Sequence, residues 1–132
     1  MSILLAYIHT PEGDAALSAA IDEARRRGTK ADVVTVTRPV AQTDTSMSTE
    51  QRLDAVTAVF EAAGVEVEIH QLPAGTDRAG GILSVVEETS PDLVVIGMRR
   101  RSPVGELLVG STSQRIMRLA ECPVLVVKAP AS

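Results

Sequence analysis

Apolar positions in this sequence follow two periods that take turns along the chain. Ile3 to Ile8 is a short apolar run, and Leu17, Ala20, Ile21 and Ala24 then recur at i, i+3, i+4 and i+7, one buried face of a helix. Gly28 follows where a left-handed cap ends a helix, and Arg25 to Arg27 fall in that last turn, where cations complement the dipole. Val33 to Val36 predicts a second strand. A polar stretch, Arg38 to Ser46, leads to Ser48-Thr49-Glu50-Gln51, a capping-box pattern opening a helix whose apolar face runs through Leu53, Val56, Val59, Phe60 and Ala63.

Val65 to Leu72 alternates with period two, as an edge strand with one wetter face does. A third helix follows Gly75-Thr76-Asp77 and carries Ile82, Leu83, Val85 and Val86. Leu93 to Ile96 is a short apolar strand, Met98 to Gly110 a loop, Ser111 to Ala120 the last helix and Pro123 to Lys128 the final strand. Five strands alternating with four helices predict a single α/β domain over residues 1–132, with a doubly wound parallel sheet covered on both faces. The expected strand order is 3-2-1-4-5. Ligands of such sheets bind beyond the carboxyl strand ends where the winding reverses. That crevice is lined by Ala6 to Thr10 and Ile96 to Arg100.

Composition fits this architecture. Apolar residues make up 45% and aromatic residues 2%, so Val, Ile, Leu and Ala must fill the core. A formal charge of −4 gives no general attraction to nucleic acid or acidic membranes, and no apolar stretch approaches the ~20 residues of a bilayer span. The single cysteine, Cys122, excludes an intrachain disulfide and reads as a small buried hydrophobe. The start, Met1 to Leu5, lacks the basic region of a signal peptide. A cytoplasmic location is expected.

The chemistry concentrates between Gly97 and Thr112. Strand-to-helix connections usually take ~2 to 6 residues, and longer ones are often functional. Gly97 removes a side chain where a ligand could approach backbone, and Gly110-Ser111 sets free amides at a helix start, where the dipole favours an anion. Ser111 and Gln114 form a second capping-box pattern, making Ser111 the expected N-cap. Arg99, Arg100 and Arg101 add guanidinium forks suited to phosphate oxygens. Amides and arginines specify an anion, not a nucleotide.

Gly97, twelve residues, then Gly110-Ser111 is similar to the universal stress protein signature of Gly, two residues, Gly, nine residues, Gly and Ser or Thr. Asp92 to Met98 and Glu121 to Lys128 resemble that family's fourth and last strands, and the element order matches throughout. The resemblance implies a stress-response regulator that binds an adenine nucleotide, ATP, ADP or AMP, with Mg accompanying ATP. Carried over by position, the nucleotide-binding residues are Ala6, Tyr7, Ile8, Val36, Ile96, Gly97, Arg100, Gly110, Ser111 and Thr112. Two positions depart from the pattern. Ile8 stands where the family's first strand usually ends in Asp, and Arg100 stands at the signature's second Gly.

No catalytic residues are expected. His9 and His70 are far apart in sequence, His70 reads as surface, no His/Cys/Asp run has metal-ligand spacing, and no Walker motif is present. The reading is of a binder with at most slow ATP hydrolysis. The alternative is a dimeric interaction module of the same fold without nucleotide. Val124, Leu125, Val126 and Val127 form an apolar strand at the expected sheet edge, and unprotected edges pair with other chains, so a homodimer through this strand is expected.

Overall fold

The computed structural model describes residues 2–36, 49–73, 75, 77–100, 107–108 and 110–129. The elements in chain order are β1 (Ser2–Ala6), α1 (Pro11–Arg27), β2 (Lys30–Val36), α2 (Thr49–Ala62), β3 (Val67–Leu72), α3 (Arg78–Thr89), β4 (Leu93–Arg100), β5 (Leu107–Leu108), α4 (Ser111–Leu119) and β6 (Val124–Lys128). Five strands run parallel in the order β3-β2-β1-β4-β6, which is the expected order counted along the chain.

The central strands are buried on both faces. Ile3, Leu5, Val33 and Val95 point towards α1 and α2 and pack with Ala16, Ala20, Val56 and Phe60. Leu4, Val34, Val94 and Ile96 point the other way, against Ile82, Val85 and Val86 of α3 and Ile116 of α4. Residues alternate between the two clusters because side chains on a strand alternate between faces. That is why these strands read as unbroken apolar runs while β3, at the edge, alternates.

Local chemistry sets the helix ends. Thr10 caps α1 by accepting from the Gly13 amide at 3.0 Å, Pro11 occupies the first turn, and Glu12 and Asp14 place negative charge there. At the other end Gly28 adopts φ 64°, and its amide reaches the Ala24 and Arg25 carbonyls. The three arginines before it lie in that last turn, and Arg26 and Arg27 pair with Glu23.

Three expectations change. β4 does not stop at Ile96; pairing with β6 at Gly97 and Met98, and with β5 at Arg99 and Arg100, extends the ladder to Arg100. The short antiparallel β5 therefore replaces part of the expected loop. α4 is capped by Gly110, not Ser111, which becomes its first helical residue. Finally, Cys122 is only partly buried, its thiol pKa raised by desolvation. Ser48, the expected cap of α2, and the whole polar stretch before it, Arg38 to Ser46, lie outside the described residues.

Phe60, the chain's one phenylalanine, is fully buried between α2 and the sheet. Phe60→Ala is expected to cost about 3 to 5 kcal/mol of stability. Urea unfolding measures this, and a loss under about 1 kcal/mol would contradict the packing described.

Candidate functional site

β1 and β4 are neighbours whose following helices pass to opposite faces, α1 to one and α4 to the other. Beyond their carboxyl ends the sheet opens. A hollow of about 90 Å³ lies there, walled by Ala6, Ile8, Val34, Val36, Ile82, Ile96 and Ile116 and edged by Arg78, Thr112 and Ser113. A second, smaller hollow adjoins it and shares Ile8, Val36 and Arg78, adding His9, Arg52 and Leu53. A larger open groove, about 630 Å³, lies at the far ends of α3 and α4, around Leu83, Ser90 and Cys122. It is remote from the switch point.

Two helix starts face the main hollow. Gly110 has an extended conformation with no side-chain cap, so the amides of the first turn of α4 are left without a capping side chain among the described residues. α3 begins at Asp77, whose side chain likewise makes no cap. Instead its carboxylate receives two bonds from Arg115 Nη1, at 3.0 and 2.9 Å, tying the start of α3 to α4. Partial positive charge from both starts therefore collects at one rim.

Of the expected site residues, Ala6, Tyr7, Ile8, Val36, Ile96, Gly97 and Thr112 border the hollow. Gly110 and Ser111 do not; both are exposed. Arg100 sits on β4 opposite Leu107, and Arg101 lies outside the described residues. Ile8, at the departing position, forms part of the apolar wall.

Gly97, which borders the hollow, also has a packing role. A Cβ there would strike the Glu12 carbonyl in the first turn of α1, on the face away from the hollow. The glycine lets α1 press its amino end onto β4. Gly13 repeats the arrangement, since a side chain there would strike the Ile8 carbonyl.

Tyr7 contributes to the same corner. Its side chain turns to the α1 face, where the hydroxyl donates to Asp14 Oδ1 at 2.8 Å and lies 3.3 Å from His9 Nδ1. Burial, reinforced by Asp14, raises the phenol pKa, so it stays a neutral donor. The bond fixes the loop from Tyr7 to Thr10 that forms one wall.

Sequence reasoning missed Val34, Ile82 and Ile116, whose apolar character reads only as core, and the cations Arg52 and Arg78. A signal for the cations existed. Both occupy the amino-terminal turn of a helix, where the dipole disfavours positive charge. The Arg52 Nε is buried without a hydrogen-bond partner among the described residues.

The comparisons agree with this geometry. The model of the universal stress protein family matches residues 1–128. A universal stress protein of Mycolicibacterium smegmatis is 37% identical over 126 residues, covering 96% of each chain. A universal stress protein structure from Archaeoglobus fulgidus superposes with a TM-score of 0.75 at 27% identity, over 96% of this chain and 97% of that one. Another from Archaeoglobus fulgidus, solved in complex with dAMP, gives 0.71 at 22% identity over 96% of both chains. The chain belongs to the universal stress protein family.

Gly97→Ala is expected to cost about 1 to 3 kcal/mol because α1 or β4 must shift. Denaturant unfolding measures it. Wild-type stability in that variant would show that the contact with Glu12 is not tight.

Proposed function

We propose that this protein is a stress-response regulator that binds an adenine nucleotide at the carboxyl ends of β1 and β4. The observation that carries the reading is the pairing of an apolar slot with uncapped amides at one switch point. Ala6, Ile8, Val36 and Ile96 suit the faces of a purine, while the first turn of α4 and Arg78 suit a phosphate. The dAMP held by the Archaeoglobus fulgidus relative supports the same ligand class. The slot is small beside clefts of ~300 Å³ or more that enclose whole ligands. The described residues would therefore enclose the base, with ribose and phosphate lying across the rim. With Ile8 in place of the acid, the base is held by contact rather than by a carboxylate. Ser111, exposed and turned out of the slot, contributes less than Thr112 and Ser113. The assigned activity is binding, with Mg entering only alongside ATP.

Calorimetric titration of ligand-stripped protein with AMP, ADP and ATP tests this. Saturable binding with Kd below ~1 mM is expected, a threshold of only ~4 kcal/mol. Thr112→Glu puts a negative charge where the phosphate would sit, yet in a turn that favours acids, so affinity is expected to fall ~10-fold or more with stability kept. Absence of saturable binding by all three nucleotides would favour the interaction module without nucleotide.

A homodimer through β6 belongs to the same proposal. β6 stands at the sheet edge, and Leu125 is 36% exposed there. Light scattering is expected to give twice the 13.9 kDa chain mass at micromolar concentration, and Leu125→Glu half of that dimer value. A monomeric wild-type protein would overturn it.

A further inference from the structure

The edge of the sheet, where β2 meets β3, carries a cluster that the nucleotide reading does not use. Asp32 on β2 and Glu68 on β3 are register partners, and His70 follows two residues along β3 on the same face. Asp32 is completely buried, and His70, expected at the surface, covers it with a side chain only 21% exposed. The His70 Nε2 lies 2.9 Å from Asp32 Oδ1. Glu68 stands at the rim with its side chain 62% exposed. One ligand atom from each of the three lies within 4.8 Å of the others.

Electrostatics leave this group under-compensated. Two carboxylates directly opposite on neighbouring strands repel, and a buried carboxylate is costly unless fully paired. Asp32 Oδ2 has no hydrogen-bond partner among the described residues. Lys30 Nζ lies 3.5 Å from Glu68 Oε2 and 3.8 Å from Asp32 Oδ1, too far to bond the latter. Its side chain is 40% exposed and free to swing outward. Ser2, one strand further in and of the same facing as Asp32, also has a buried Oγ without a partner among the described residues.

We propose that Asp32, Glu68 and His70 form a site for a divalent transition-metal ion of the zinc type. One imidazole with two carboxylates is a donor set that zinc accepts, at ~2.0 to 2.2 Å per ligand. Tetrahedral donors at that distance lie roughly 3.3 Å apart, so the exposed Glu68 needs only a small inward rotation. In the bound state the neutral imidazole offers its Nε2 lone pair and keeps its one ring proton on Nδ1, and Lys30 leaves the space its ammonium holds. The ion would pin edge strand β3 to β2, independently of any nucleotide.

The test is titration of chelator-stripped full-length protein with ZnCl₂ and, for its visible spectrum, CoCl₂. One equivalent is expected to bind with Kd below ~10 µM and to raise the unfolding midpoint by roughly 5 to 10 °C at hundredfold excess over Kd. His70→Gln and Glu68→Gln are each expected to weaken binding ~10-fold or more, and Glu68→Gln, at the exposed rim, to do so with stability kept. Lys30→Met, which removes the competing ammonium, is expected to tighten it, and His9→Gln to leave it unchanged. No saturable zinc binding below ~100 µM would overturn the site. So would undiminished binding by the His70 and Glu68 variants, or weaker binding by Lys30→Met.

Discussion

The structure depends on a sheet whose central strands are buried on both faces. Ile3, Leu4 and Leu5 of β1 and Val94, Val95 and Ile96 of β4 are buried whichever face they point to, so helices must cover both sides. Successive crossovers keep one hand, and covering both faces then requires the winding to reverse between β1 and β4. The crevice at their carboxyl ends is a consequence of that reversal. It comes furnished with helix starts because each crossover helix begins just past a strand end.

The close approach of α1 to β4 sharpens that crevice. Gly97 and Gly13 remove the two side chains that would hold the elements apart, against the carbonyls of Glu12 and Ile8. Tyr7 then locks the intervening loop through Asp14. The wall formed by Ile8 is thus fixed by packing and one partly buried hydrogen bond, before any ligand is present. The opposite wall is less constrained by side chains, since the first turn of α4 has no side-chain cap. A rigid apolar wall facing open amides suits a ligand with a flat base and an anionic end.

Much of this was legible in the chain. Periodicity located every long element, because a doubly buried strand and an amphipathic helix leave different apolar spacings. The Gly28 cap was legible for the same local reason. What failed depended on non-local pairing. The extension of β4 through Arg100 comes from β5 and β6, which no residue of β4 announces. The cap of α4 moved from Ser111 to Gly110 because a capping-box spacing states what side chains can do, not where the helix begins. Gly97, read as a backbone position open to a ligand, borders the hollow and is in addition a packing contact with α1, which its neighbours in sequence do not announce. His70 looked exposed because alternation shows which residues share a face, not that Asp32 lies buried one strand away.

The proposed binding requires the slot and the uncapped amides to receive one ligand together. Amide chemical shifts followed by ¹⁵N–¹H NMR during an AMP titration test this most directly. The account predicts saturable changes at Ile8, Val36, Gly97, Thr112 and Ser113, with Glu87 and Glu121 at the far groove unmoved. Shifts confined to the far groove, or none at the first turn of α4, would contradict it.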